Sequence, residues 1–359
     1  MPDPNLDYLP PTVSELERRQ LHDDGSTVVG LRRRGHDLGY LVRKSKPKQP
    51  EDLAPLWNAN LPIHLPGVLE GGLEVFEEDI KASSEMFARL RDGARFLDEL
   101  EPRLAHQDRF APSGSTIDTH DHREVEKVWM AAVENGDTLA DELWAKLSWI
   151  AHDTSDTSLR ISFSFGVEQL KEWRDDTARA PFVDAACQEA FPECLTITGH
   201  LPLVEALENL LDTRLRFSER IIYANAPNGG AMFHHDVEPE QRGVIFGQFA
   251  GRTAWLALPK RQLASHVRKL AQGDLAARVA TEVDALALLD QDSDQDLFQL
   301  LNTNTEMTKV LVESGAAFLV EPGDAILLPN HGPDDTCWHS VFAVGRASLA
   351  HSYGMFGLS

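Results

Sequence analysis

Cysteine is scarce, with Cys187, Cys194 and Cys337 the only three in 359 residues and no CxxC pair among them. Such spacing excludes a zinc ribbon and a disulfide framework. Basic side chains are also in deficit, 34 against 57 acidic ones, for a formal charge of -23. The averaged field repels phosphate backbones and anionic bilayers, which argues against nucleic acid and membrane surfaces as partners. Two readings of the acidity stay open: solubility or salt adaptation, and attraction of a cationic substrate. No apolar run approaches the ~18 residues of a membrane span, and the start from Met1 to Tyr8 lacks the features of a signal peptide. The expectation is a cytoplasmic protein.

What is present suits a folded chain. Hydrophobic residues make up 42% and charged residues 25%, too apolar for disorder. The length accommodates two structural units. Residues 1 to about 60, with Arg32-Arg33-Arg34 and the Lys44 to Pro50 segment, read as a loosely structured lead-in with one helix and no chemistry. Apolar residues at helical spacing from Leu73 to Leu104 predict packing helices, and a second helical stretch is expected from Glu124 to about His152. The region 1–157 is therefore expected to be mainly helical.

From Ser158 to Gly166 apolar and polar residues alternate at period two, which marks a strand. Helical patterns return near Val167 to Phe191 and Pro202 to Leu211. Beyond Asp212 come short β-like runs separated by Gly, Pro and Asn: Arg216 to Tyr223, Gly243 to Phe249, Thr253 to Leu258, Ala316 to Val320, Ala325 to Leu328 and Ala347 to Tyr353. This is the rhythm of a sandwich or barrel. It is broken from about 261 to 314 by helical patterning, read as an insertion between strands. Within it, Asp292, Asp294 and Asp296 imitate a calcium loop but lack its Gly and closing Glu, and read as a solvated loop or helix start.

The stretch Arg220 to Asp236 carries the candidate chemistry. On a strand, residues i and i+2 share a face, so His234 and Asp236 can present an imidazole nitrogen and a carboxylate oxygen to one ion, while His235 faces away. A third ligand is sought in Glu321 to Val341, where a turn feeds an apolar strand, a loop follows, and His339 opens the next apolar segment. Two histidines and one carboxylate point to non-haem Fe(II) with positions left for substrate and O2; zinc more often takes a closed or three-histidine set. His120-Asp-His122 and His152-Asp153 carry the same residue types but read as loop or capping residues.

The His234-x-Asp236 pair, Gly247-Gln-Phe-Ala-Gly-Arg-Thr-Ala-Trp-Leu-Ala-Leu-Pro259, Pro322-Gly-Asp-Ala-Ile-Leu-Leu-Pro329, Trp338-His339 and Ala347-Ser-Leu-Ala-His-Ser-Tyr353 together resemble the JmjC/cupin-like branch of the Fe(II)/2-oxoglutarate oxygenases. The resemblance covers about residues 215 to 356. It implies an α+β chain whose double-stranded β-helix (a jelly-roll, cupin-like barrel) spans 158–359, with the helical region before it and the helical insertion between barrel strands. It also implies that 2-oxoglutarate chelates the iron and is decarboxylated to succinate as O2 oxidises a substrate C–H bond. Because Asp236 is retained where related halogenases place halide, hydroxylation is the expected outcome.

The sequence departs from the family at the cosubstrate anchor. Many members carry Lys or Arg two residues after the glycine matching Gly251, and Thr253 stands there. A buried carboxylate still needs a cation. Arg346, seven residues beyond His339, is the preferred replacement, because its period-two mates Ser348, Ala350 and Ser352 are small and its guanidinium suits a carboxylate; the alternative is an ordinary hairpin arginine in solvent. Arg252 is the fallback and Tyr223 a hydroxyl donor to the same carboxylate. Trp255, Trp338 and Phe233 read as packing, Asn225, Asn228 and Gln248 as positioning groups, and His351 as structural.

By analogy, the substrate is a peptide, a protein or an amino-acid-like molecule, with a small-molecule substrate as the alternative. The competing readings are a metal-dependent cupin dioxygenase or isomerase that does not use 2-oxoglutarate, and a non-catalytic scaffold on the same barrel.

Overall fold

The computed structural model describes residues 6–105, 108–118, 123–168, 177–236, 238, 240–291 and 294–357. Sixteen strands appear among them. In chain order they are β1 (Leu6–Leu9), β2 (Thr27–Arg33), β3 (His36–Arg43), β4 (Ile63–Leu65), β5 (Phe110–Asp118), β6 (Val125–Glu134), β7 (Asp137–Trp149) and β8 (Leu159–Phe165), followed by β9 (Leu215–Asn225), β10 (Gly230–His234), β11 (Gln241–Ala250), β12 (Thr253–Pro259), β13 (Ala317–Val320), β14 (Ala325–Pro329), β15 (Cys337–Ala343) and β16 (Ser348–Gly357).

Alternation along the later strands explains their layering. In β14, Ile326 and Leu328 enter one apolar cluster while Ala325 and Leu327 enter another; in β12, Trp255 and Ala257 face one way and Ala254, Leu256 and Leu258 the other. Strands apolar on both faces must be covered on both. The result is an α+β molecule with two large antiparallel sheets facing each other in a jelly-roll-like arrangement. One has four strands in the order β10-β15-β12-β13; the other has nine, β4-β14-β11-β16-β9-β8-β7-β6-β5. Val244, Phe246, Trp255, Phe318, Ile326, Leu328 and Val341 fill the space between them.

Helices cover the outer faces. Glu77–Arg91, Phe96–Leu104, Ala180–Ala190 and Leu201–Leu211 pack with the nine-stranded sheet. Five helices within residues 260–313, from Lys260–Leu270 to Thr305–Glu313, lie between β12 and β13 in sequence and join the cluster on the outer face of the four-stranded sheet. None of the helices among the described residues is long and apolar enough to cross a membrane.

The N-terminal region differs from expectation. Instead of a helix over 124–152, β6 and β7 form a hairpin, Glu134 opposite Asp137, turning at Asn135 (φ 52°) and Gly136 (φ 89°). Asn-Gly with positive φ at both positions is the preferred two-residue hairpin turn. Val125, Val128 and Trp129 fit helical spacing, but Val128, Met130 and Ala132 also alternate, and that period is the one used. Nor is the segment before residue 60 a loose lead-in: β1, β3 and β2 form a third sheet, with β2 and β3 joined at Arg34-Gly35. The region 1–157 is thus mixed rather than mainly helical, and because β7 pairs with β8 and β8 with β9, one continuous sheet crosses residue 158.

Candidate metal centre

β10 ends at His234, and its register sets His234 directly opposite His339 of β15, after a bulge between Ala231 and His234. The two imidazole centroids are 4.3 Å apart. Asp236, two residues on, brings Oδ1 to 3.5 Å from His234 Nε2 and Oδ2 to 3.4 Å from His339 Nε2. One donor atom from each residue lies within 4.8 Å of the other two.

The donors are in the right chemical state. His234 Nδ1 donates to the Met232 carbonyl at 2.7 Å, which leaves the Nε2 lone pair directed away from the backbone. Burial, with the neighbouring His339, pushes the His234 pKa down to about 4, so the ring is neutral at neutral pH. Burial alone would raise the Asp236 carboxyl, but His234, His339 and Arg160 outweigh it and hold it well below the usual carboxylate range. Two imidazoles and one carboxylate suit a divalent cation with an open side. His339 is buried, stacks on Trp255 at 5.4 Å between centroids and 17° between planes, and its Nδ1 has no hydrogen-bond partner.

Beyond the three donors lies a cavity lined by Tyr223, Asn225, Ala231, Val244, Phe246, Trp255, Leu328, Val341 and Ser352. Its polar edge is Tyr223, Asn225 and Ser352; the rest is mostly apolar. Burial, and then the Asp236 charge, raises the Tyr223 pKa, so its hydroxyl keeps its proton.

β10 is held from the N-terminal hairpin. Arg33 is buried and donates to Asn302 Oδ1 (2.8 Å) and to Ser340 Oγ, next to His339. Asn302 Oδ1 also accepts from Phe233 N (3.0 Å), and Ser340 Oγ donates to Ala231 O (2.8 Å). Arg34 binds Asp156 (2.7 Å) and the Gly230 carbonyl, while Asp156 accepts from Gly230 N (3.0 Å). Gly230 itself has φ 142°, and a Cβ there would lie 2.3 Å from Val341 O. Sequence reading assigned Arg33 and Arg34 no role; the signal was the Arg34-Gly35 turn, which makes β2 and β3 a hairpin.

The expected anchor residues do not gather here. Arg346 is exposed in the turn between β15 and β16, its backbone N bonded to Val344 O, because β16 begins only at Ser348. Of its period-two mates, Ser352 lines the cavity and Ala350 packs between the sheets. Arg252 is on the surface, 4.0 Å from Glu321. Thr253 is buried but engaged: Oγ1 donates to Gln248 Oε1 at 2.8 Å and accepts from Trp255 Nε1 at 3.1 Å. Ser348 is buried opposite Asn225 and outside the cavity wall. Of the predicted anchors, Tyr223 alone lines the cavity, and no lysine or arginine does among the described residues.

Other candidates fall elsewhere. His235 packs against Trp338, and Phe233 joins the cluster beneath the insertion. Asn228 (φ 61°) occupies the bend before β10. His351 faces the helices, stacked on Phe249 and 3.4 Å from Glu193 Oε1. Asp294 and Asp296 both bind Arg278, and Asp292 lies outside the described residues, as do His120, Asp121 and His122. His152 and Asp153 are exposed on the loop after β7, beside a cleft next to the metal centre.

No family model matches the sequence, and no curated protein matches it. Solved structures of YcfD, a ribosomal oxygenase from Escherichia coli, are similar to it over part of its length. One shares 17% identity over 73% of this chain and 43% of that chain, with a TM-score of 0.25. A second shares 15% over 74% and 46%, with a TM-score of 0.28. A third, in complex with cobalt and succinic acid, shares 14% over 74% and 44%, with a TM-score of 0.25. The aligned part spans less than half the length of those chains, and likeness at this level transfers no activity.

Proposed function

We propose that His234, Asp236 and His339 bind one Fe(II) and that the chain is an Fe(II)- and 2-oxoglutarate-dependent oxygenase, a hydroxylase of a peptide, protein or amino-acid-like substrate. The observation that carries the metal assignment is the convergence of two imidazoles and a carboxylate, from β10, the segment after it and β15, on the mouth of a largely apolar cavity. Strand order supports the barrel reading: β9 to β16 alternate between the sheets as β9-β16-β11-β14 and β10-β15-β12-β13, the arrangement of a double-stranded β-helix. Iron held on one side keeps coordination positions for substrate and O2. Around it, the Met232 carbonyl fixes the His234 tautomer, Trp255 holds the His339 ring plane, and Val244, Phe246, Leu328 and Val341 keep water out.

The cosubstrate assignment rests on the family resemblance, and the positions expected to anchor it do not fit, since Arg346 and Arg252 are on the surface and Thr253 is already bonded. That observation favours a second reading, a metal-dependent cupin enzyme that does not use 2-oxoglutarate. Anaerobic addition of Fe(II) and then 2-oxoglutarate separates the two. The first reading expects a metal-to-ligand charge-transfer absorption that disappears in His339→Ala. Iron uptake without the band leaves the second reading standing, and no iron uptake at all removes both.

A further inference from the structure

The nine-stranded sheet continues past the jelly-roll strands, and its extension carries a cation to the metal centre. On β8, Leu159, Ile161, Phe163 and Phe165 are buried against the helices, so Arg160 projects to the opposite face. That face is the side of the metal, because Arg160 pairs across the ladder with Tyr223, which lines the metal cavity. Directly paired residues on neighbouring strands project side by side. Arg160, Tyr223 and His234 also line one open cleft beside that cavity.

The Arg160 guanidinium is positioned but not neutralised. Its Nε donates to Ser148 Oγ at 3.1 Å, and neither terminal nitrogen has a carboxylate partner among the described residues. The other guanidinium on the cleft, Arg34, is bound to Asp156. Further along the same face, Lys127 and Lys146 share Glu168. Arg160 is thus a cation near Asp236 without a direct carboxylate contact among the described residues, in a chain whose balance is 57 acidic to 34 basic side chains.

We propose that Arg160 receives a carboxylate of the molecule that reacts at the metal, the terminal nitrogens forming the two-pronged contact that suits this group. The proposal rests on the metal assignment above and resolves its difficulty. A carboxylate in the apolar cavity would lack a cation, whereas one directed past Tyr223 into the cleft meets Arg160. The carboxylate is either the distal one of 2-oxoglutarate or one on the substrate, and in both cases this side of the site selects an anionic molecule.

The full chain is loaded with Co(II) alone, uptake being read from its visible absorption, and wild type is compared with Arg160→Gln and Arg160→Lys. Co(II) uptake is expected in all three, and each ligand titration is read on protein loaded to the same Co(II) content; failure of wild type to take up Co(II) overturns the metal assignment and this proposal with it. The loaded proteins are titrated with 2-oxoglutarate and with 2-oxovalerate, which lacks the far carboxylate, and separately with glutarate, read by paramagnetic relaxation of its protons. Wild type is expected to favour 2-oxoglutarate about tenfold, with Arg160→Gln losing the preference and Arg160→Lys recovering part of it; this assigns the carboxylate to the cosubstrate. Arg160-dependent glutarate relaxation, with the oxo-acid response absent from wild type or unchanged by substitution, assigns it to the substrate. Equal binding of all three probes by wild type and Arg160→Gln overturns the proposal.

Discussion

At the scale of single residues, the metal centre depends on groups outside its three donors. Asp156 binds Arg34, Gly230 N and the turn at Ser158, and these outweigh burial and lower its pKa below 3.8. A carboxyl depressed in the folded state stabilises fully above its unfolded pKa, and the contribution is lost as pH falls through the folded value. Asp156→Asn should therefore be less stable than wild type at neutral pH, with the difference in urea-unfolding free energy narrowing as the pH drops below about 3.8. Arg33 tests packing against charge. Its burial lowers the pKa to about 9, so it stays charged at neutral pH with no carboxylate beside it among the described residues. Arg33→Ala should cost about 2–4 kcal/mol in urea unfolding through the void it leaves, while Arg33→Met, which refills the space, should recover most of that loss. The donor pair His234 and Asp236 was legible because period-two spacing along a strand is a local property. The surroundings of the arginines were not: Arg346 and Arg160 are both exposed and near strand ends, and only register and strand limits leave one in a turn and set the other beside Tyr223.

At the scale of elements, β10 carries His234, leads into Asp236 and is tightly constrained. It is five residues long, bulged before His234, and its first residue, Gly230, touches the backbone of β15. Gly230→Ala places a methyl against Val341 O in a conformation that L residues rarely adopt. The expected outcome is a loss of about 2–4 kcal/mol, together with weaker Co(II) uptake because β10 shifts away from His339. Retained uptake with lowered stability would show that the bend supports the fold and not the ligand spacing. Strands from β9 onward were readable because they alternate between turn signals. β6 and β7 were not, because several of their apolar residues satisfy helical and strand spacing at once, and the Asn135-Gly136 turn decides between them.

At the scale of the whole molecule, a metal bound as proposed should act as a staple, since the candidate ligands come from β10, the segment after it, and β15. A ligand that binds only the folded chain stabilises it by about 2.7 kcal/mol at a hundredfold excess over Kd. Saturation with Co(II) should thus raise Tm by a few degrees and a chelator should reverse it, with His234→Ala showing no response in calorimetry. Strand rhythm, the helical interruption between β12 and β13, and the metal-binding residue types follow from local sequence, because periodicity and turn chemistry are set within a few residues. Only the tertiary structure decided that β5 to β8 extend the nine-stranded sheet, that Arg33 and Arg34 clamp β10 from some two hundred residues away, and that Arg160 stands beside Tyr223. Those pairings depend on long-range register, which no single stretch of sequence encodes.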